Sequence, residues 1–232
     1  MYPFDVSSRP SMGHNPLLSR RLRRRASYHV VIASAALAAG TAVGSAFGRD
    51  VFRARLSAAT AYVALGCVAL SLMLGPLNLV RARANPVSSD LRRDLGIWGA
   101  IAGLVHVGLG LTVHLRGKMY QYFLPPPEAH TLLPFRVDAF GAANDLGLLG
   151  GGVLLVLLLL SSDLALRQLG TVRWKRLQRF NYVGALAILG HGALYQLLEK
   201  RRAVLVATFI LIVLTTAGFQ GLGVRITRRD PP

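Results

Sequence analysis

The sequence is poor in cysteine and in charged side chains. Its 232 residues include one cysteine, Cys67, and only 16% are Asp, Glu, Lys or Arg. A single cysteine excludes an intrachain disulfide, a CxxC motif and a cysteine-ligated cluster within this chain. No glycine-rich nucleotide fingerprint precedes a predicted βαβ unit, so the sequence indicates no flavin or nicotinamide domain of its own.

Acidic residues are scarce relative to basic ones. There are 10 Asp and Glu against 27 Lys and Arg, which gives a formal net charge of +17. In a soluble protein this balance would point to nucleic acid, but here the basic residues stand in short segments between apolar runs. That arrangement is the usual topology signal of a membrane protein. We therefore expect membrane lipid as the surrounding partner and no nucleic acid.

Apolar residues make up 53% of the chain and form six runs, each long enough to cross a bilayer as a helix. The sequence predicts an all-α polytopic membrane protein, a six-transmembrane-helix bundle over residues 28–222. A basic cytoplasmic segment, 1–27, precedes it and a cytoplasmic tail, 223–232, follows. The predicted spans are 28–47, 56–80, 95–115, 142–161, 180–198 and 203–222.

The first run has two interpretations. We favour an uncleaved span, although Gly44, Ser45 and Ala46 also resemble the small-residue cleavage site of a signal peptide. With the N-terminus cytoplasmic, two thirds of the 27 Lys and Arg fall on the inner side. The positive-inside rule thus predicts both termini in the cytoplasm of a multi-pass protein of a bacterial-type inner (cell) membrane.

A histidine stands at the middle of the third run. A polar side chain at mid-bilayer is costly unless something binds it, so His106 is a candidate functional residue. Gly96, Gly99, Gly103, His106 and Gly110 are separated by steps of three or four residues and share one helix face. Two interpretations stay open. The face is a groove for a flat macrocycle ligated by the imidazole, or the glycines pack helices closely and His106 hydrogen-bonds a neighbour.

The fifth run also has one histidine near its middle, His191. His106 lies 13 residues beyond Arg93, and His191 lies 12 beyond Arg179, on spans that run in the same direction. At the helical rise their depths differ by about 1.5 Å. Two imidazoles at equal depth, each beside small residues, are what bis-histidine ligation of a membrane haem iron requires. We therefore predict His106 and His191 as the metal ligands.

Other ligands are weaker candidates. His114 lies eight residues after His106, near the outer end of the predicted third span, and is a lower-ranked cofactor contact. His29, at the inner end of the first span, is lower still. A zinc site would need three or four protein ligands, and Cys67 and Asp145 have no matching partners. No residue is predicted to be catalytic.

Two stretches carry a resemblance to a known family. They are LRRDLGIWGAIAGLVH, ending at His106, and LGTVRWKRLQRFNYVGALAILGH, ending at His191. The chain resembles the ferric-reductase-like transmembrane domain family over roughly residues 56–222. That family includes ferric reductases, NADPH oxidases and the haem-binding membrane subunit of the periplasmic methionine sulfoxide reductase system. The resemblance implies a bundle that carries electrons through b-type haem to an outside acceptor.

The sequence departs from the two-haem members of that family. Their second histidine pair would fall on Arg93 and Gln178, and arginine cannot ligate iron because it stays protonated. We therefore expect one haem b. The expected donor is a membrane quinol or a cytoplasmic flavin reductase, and the acceptor is an outside redox partner protein. The function class is an oxidoreductase electron-transfer subunit; the alternative is a non-catalytic membrane subunit or scaffold of a larger complex.

Overall fold

The structure is a computed structural model that describes residues 16–48, 51–81, 90–123 and 138–229. Much of the predicted N-terminal segment, the end of the tail and most of the third connection therefore lie outside the described residues. The described chain is helical and contains no strand, as the all-α prediction requires. Its helices are α1 (Pro16–Phe47), α2 (Phe52–Val80), α3 (Asp90–Gly110), α4 (Tyr120–Phe123), α5 (Ala139–Leu160), α6 (Asp163–Gln178), α7 (Phe180–Leu198) and α8 (Ala203–Arg229).

Four of these helices are long and apolar enough to cross a membrane: α1, α2, α5 and α8. Their bounds contain or nearly match the predicted first, second, fourth and sixth spans. Helices α3 and α7 do not meet the same requirement of length and hydropathy, because each carries a histidine, several glycines and polar residues near its start. An all-helical membrane protein is therefore supported. Six crossings were predicted, but only four of the described helices are long and apolar enough to cross.

Helix α3 begins and ends earlier than predicted. It stops at Gly110, five residues before the predicted end of the third span, and the chain continues through hydrogen-bonded turns to a short 3-10 helix, Leu115–Gly117. Glycine is a poor helix former, and Gly108 and Gly110 both lie in the last turn. As a result, His114 stands in a turn and not on the helix face on which its predicted position depended.

Helix α6 is an element that the search for apolar runs did not predict. It is polar and basic, and it begins after Ser162, whose side chain accepts a hydrogen bond from the backbone N–H of Ala165. Gly170 interrupts it with a φ of 68°, a conformation that glycine adopts without strain. Trp174 holds it against α5 by donating from its indole to the Leu160 carbonyl.

Small residues set the helix packing. Helix α2 lies against α1, α3 and α8, and α5 lies against α3 and α7. A Cβ atom added at Gly99 would lie 3.3 Å from the Cβ of Cys67, so that glycine permits close contact between α2 and α3. Large aliphatic side chains remain exposed on the outer faces, as lipid contact requires; Leu186, Leu197 and Leu211 are examples.

An ionic cluster joins α1 to α3. Asp94 has no exposed surface and forms a salt bridge with Arg25. One turn earlier, Asp90 pairs with Arg21 and Arg24 on the exposed side. The hydrogen bond from Arg21 is the main reason that the pKa of Asp90 is lowered. Part of the basic cluster in the N-terminal segment therefore has a structural role as well as a topological one.

Candidate functional site

His106 is held by the first part of α2. Its Nδ1 atom lies 2.9 Å from the backbone oxygen of Ser57 and 3.1 Å from the hydroxyl oxygen of the same residue. Ser57 is buried. A carbonyl oxygen can only accept a hydrogen bond, so Nδ1 of His106 carries the proton. In the neutral imidazole, Nε2 is then an unprotonated nitrogen that is free to bind a metal ion.

His191 is held in the same way by α5. Its Nδ1 atom lies 2.7 Å from the backbone oxygen of Ala143, a residue with no exposed surface. One turn along α5, a Cβ atom at Gly147 would lie only 2.6 Å from that Nδ1 atom. Glycine at position 147 therefore leaves the room that the imidazole occupies. The proton on Nδ1 again leaves Nε2 as the free nitrogen.

The two rings lie side by side. Their centroids are 5.9 Å apart and their planes are inclined at 68°. Within the described part of the chain, neither Nε2 atom has a hydrogen-bond partner. Histidines that bind metal ions commonly donate the other ring N–H to a carbonyl or carboxylate, which fixes the tautomer and the orientation. The structure thus brings together the two histidines singled out from the sequence, and their role as metal ligands stays a prediction.

A cavity of about 380 Å³ contains both imidazoles. Its wall is mainly apolar and is built from α2, α3, α5, α7 and α8. Gly103, Gly110, Gly147 and Gly192 all line it. Cavities of this size and apolar character are typical of small-molecule and cofactor sites. Among the lining residues that the structure describes, Arg201 has the one guanidinium group.

The glycines of α3 divide between two roles. Gly99 packs against α2, whereas a Cβ atom at Gly103 would lie 2.6 Å from a methyl carbon of Leu154 on α5. Gly103 and Gly110 also line the histidine cavity, and Gly96 lines a different cavity nearer the start of α3. The contacts are those of the packing interpretation, in which His106 bonds a neighbouring helix and the glycines allow helices to pack closely. The groove for a macrocycle stays a prediction.

His114 also lines the cavity, but it lies apart from the pair of His106 and His191. Its ring centroid is 5.2 Å from that of Tyr195, and its Nδ1 atom is 3.6 Å from a carboxylate oxygen of Glu199. Tyr195 in turn lies between the two groups, with its centroid 4.8 Å from that of His191. His114 therefore belongs to the cavity rim. Its lower-ranked role as a cofactor contact stays a prediction, and its turn geometry replaces the helical one assumed from sequence.

Several polar residues of this site carried no sequence signal. Tyr195 donates to the side-chain oxygen of Asn144, and Gln196 donates to the hydroxyl oxygen of Tyr62, which itself donates to the Leu205 carbonyl. These bonds tie α5, α7, α2 and α8 together around the cavity. Spacing along one helix could have marked Tyr195, because it follows His191 by one turn.

His29 does not approach this site. Its Nδ1 atom accepts a hydrogen bond from the Trp98 indole at 3.1 Å, and its Nε2 atom is 3.7 Å from Asp94. His14 and His130 lie outside the described residues. Among the residues described, no group of three or more His, Cys, Asp or Glu side chains could hold a metal ion. A metal ion at His106 and His191 would therefore need most of its ligands from a cofactor.

No protein-family model matches this sequence, and no curated protein and no solved structure is detectably similar to it.

Proposed function

We propose that this chain is a six-crossing membrane protein that holds one b-type haem between His106 and His191 and carries electrons across the membrane. The observation that carries the proposal is the geometry of the two imidazoles. They come from separate helices, face one cavity, and have the same tautomer imposed by a backbone carbonyl. Packing alone does not require that both Nε2 atoms be left without a partner.

The separation of the rings suits two bonds to one metal ion. Metal–imidazole bonds of about 2 Å each would put the two Nε2 atoms about 4 Å apart. Each ring centre lies further back along its bond, so the measured centroid separation of 5.9 Å is compatible with a shared ion. The described residues provide no further ligands, and a porphyrin would supply the remaining ones.

The cavity wall fits the rest of such a cofactor. An apolar lining suits the macrocycle, and Arg201 at the rim suits its propionates, because guanidinium binds carboxylate in a fork geometry. The guanidinium carbon of Arg201 lies 4.4 Å from the centroid of the Phe47 ring, which fixes the side chain near the cavity. His114 and Glu199 complete this polar rim.

A single haem is favoured by the inner ends of α3 and α7. Arg93, at the position of a possible inner ligand, donates instead to the Ser161 carbonyl and to the carboxylate of Asp163. Gln178, the last residue of α6, lines the same cavity as Arg93. Neither side chain is an iron ligand, because arginine stays protonated and an amide binds iron poorly.

The role follows from the two axial ligands. The haem would supply one-electron transfer, and imidazoles on both sides would leave no open iron position for oxygen. We propose a ferric-reductase-like electron-transfer subunit of a bacterial-type inner membrane with both termini cytoplasmic. A quinol or a cytoplasmic flavoprotein would be the donor, and the acceptor would lie outside. Tyr195, between His191 and the polar rim, lies on the outward side of the pair.

The test is the visible spectrum of the purified, dithionite-reduced protein together with a pyridine haemochrome assay. We expect a b-type α band, about one haem per chain, and loss of that band in His106→Ala and in His191→Ala. His114→Ala is the matched control and should keep the band. A wild-type protein without haem, or a band that survives loss of both His106 and His191, would refute the proposal and leave a non-catalytic membrane subunit.

A further inference from the structure

A second cavity, the inner cavity, lies near the starts of α3 and α7. Its volume is about 450 Å³, and it is bounded by α2, α3, α5, α6 and α7. Arg93, on its wall, precedes His106 by 13 residues, or roughly 20 Å of helix. The inner cavity and the histidine cavity therefore lie at different heights along α3. Leu154 and Ile188 line both.

The inner cavity is strongly basic. Its lining includes four cationic side chains: Arg92, Arg93, Lys175 and Arg179. None of the described lining residues is acidic. Arg93 has a nearby carboxylate in Asp163, but that side chain is 54% exposed, which weakens the pairing. The like charges of Arg93, Lys175 and Arg179 repel one another, and a bound anion would offset this cost.

The other lining residues indicate which further chemical groups a ligand of this cavity would carry. Leu72, Leu157 and Trp174 give it an apolar side. Asn181 also lines the cavity, and its buried side-chain oxygen has no hydrogen-bond partner among the described residues. A buried acceptor left unpaired is costly, and a hydroxyl donor on a ligand would satisfy it. The site therefore suits an anion that has both an apolar body and hydroxyl groups.

We propose that the inner cavity binds a phosphate ester with an apolar part, its phosphate held by Arg92, Arg93, Lys175 and Arg179. Guanidinium and ammonium groups are the usual protein ligands of phosphate. Basic pockets between membrane helices on the cytoplasmic side bind anionic lipid headgroups. The same chemistry is present in an acidic phospholipid and in a soluble phosphate ester, and the inference does not depend on haem.

The experiment uses the full-length protein in phosphatidylcholine nanodiscs, with and without phosphatidylglycerol, and measures the melting temperature and the lipid retained in native mass spectrometry. Parallel samples in phosphatidylcholine receive inorganic phosphate or AMP. We expect phosphatidylglycerol, or else the soluble phosphates, to raise the melting temperature by several degrees. The lipid result identifies a headgroup as the source, and the soluble result identifies a free ester. No effect of any of these probes on the wild type overturns the proposal.

Charge-matched variants separate the cavity from general attraction to an anionic surface. Lys175→Gln with Arg179→Gln removes two exposed cations of the cavity, and Arg225→Gln with Arg228→Gln removes two exposed cations at the end of α8. The first pair should weaken binding about tenfold, and the second should leave it unchanged. Equal losses in both pairs would refute a specific site. The wild-type titration stands alone if a variant does not fold.

Discussion

The Nδ1 atom of His191 lies 2.7 Å from the backbone oxygen of Ala143, and Gly147 sits one turn further along the same helix. A methyl group at position 147 would lie within 2.6 Å of that nitrogen, closer than any ordinary contact. The imidazole therefore keeps its orientation only because this position has no side chain. The orientation is what leaves Nε2 facing the cavity.

Gly147→Ala should therefore displace His191 without removing it. We expect haem content to fall severalfold, and overpacking of this kind costs typically about 1–3 kcal/mol of stability. Gly152→Ala is the control on the same helix, because a Cβ atom there meets nothing within 4 Å. Pyridine haemochrome per mole of protein is the measurement. Equal haem content in the two variants would show that the absence of a side chain at position 147 is not what positions the ring.

The sequence was sufficient to find the two histidines but not what holds them. Equal depth on parallel spans predicted that His106 and His191 would meet, because helical rise converts residue number into height. No sequence pattern marks the carbonyls of Ser57 and Ala143 as the acceptors, because every residue has a carbonyl and only the packing of the helices decides which one a histidine contacts. Likewise, Gly110 ends α3 early through local propensity, which a count of apolar residues does not register.

Helix α6 and the ionic cluster show a second limit of sequence patterns. The residues of α6 are polar and basic, so hydrophobic runs in the sequence do not indicate this helix, which is held by Trp174. Arg25 counted only as a topology signal, although it pairs with Asp94 on a helix 69 positions away. Charge counting determines on which side a residue lies, but not which partner it contacts.

Removing Arg25 should destabilise the protein strongly. Arg25→Ala would leave the carboxylate of Asp94, which has no exposed surface, without its cation. Loss of one partner of a buried pair costs about 3–5 kcal/mol, whereas Arg25→Leu combined with Asp94→Leu should recover most of that loss. Arg21→Ala, which affects the more exposed pair with Asp90, should cost below about 1 kcal/mol. Thermal unfolding in detergent compares the wild type with these three variants. Similar costs for the two single variants would contradict a buried pair.

The contact between α3 and α6 should weaken in acid. The hydrogen bond from Arg93 lowers the pKa of Asp163 below its ordinary value of 3.8. A carboxyl with a lowered folded pKa contributes stability above its unfolded pKa and loses that contribution as pH falls through the folded pKa. Because Asp163 is 54% exposed, we expect the contribution to be at most about 1 kcal/mol.

Asp163→Asn measures this contribution directly. The melting temperature of the wild type should exceed that of the variant at about pH 7, and the difference should shrink as the pH is lowered below about 4. Added salt should reduce the difference at neutral pH, since the pair is partly solvated. A difference that stays constant down to about pH 2 would mean that the carboxylate charge is not what stabilises the contact.

The number of membrane crossings can be decided by labelling three positions. In a Cys67→Ala background, Lys118→Cys, Lys175→Cys and Arg228→Cys each introduce one exposed thiol. A membrane-impermeant maleimide applied to intact cells reacts only with thiols on the outside. If α3 and α7 both cross and the N-terminus is cytoplasmic, position 118 should be labelled, and positions 175 and 228 should react only after the cells are opened.

The alternative gives the opposite pattern, so no result is neutral. If only α1, α2, α5 and α8 cross, as length and hydropathy alone would allow, the chain reaches position 118 on the inside and position 175 on the outside. Position 228 is internal in both arrangements and becomes external if only one of α3 and α7 crosses, or if the whole protein is inverted. Labelling at 118 without 175 or 228 would thus place His106 and His191 on true crossings. Labelling at 175 without 118 or 228 would show that neither helix crosses the membrane, and would remove the basis for haem held within the membrane.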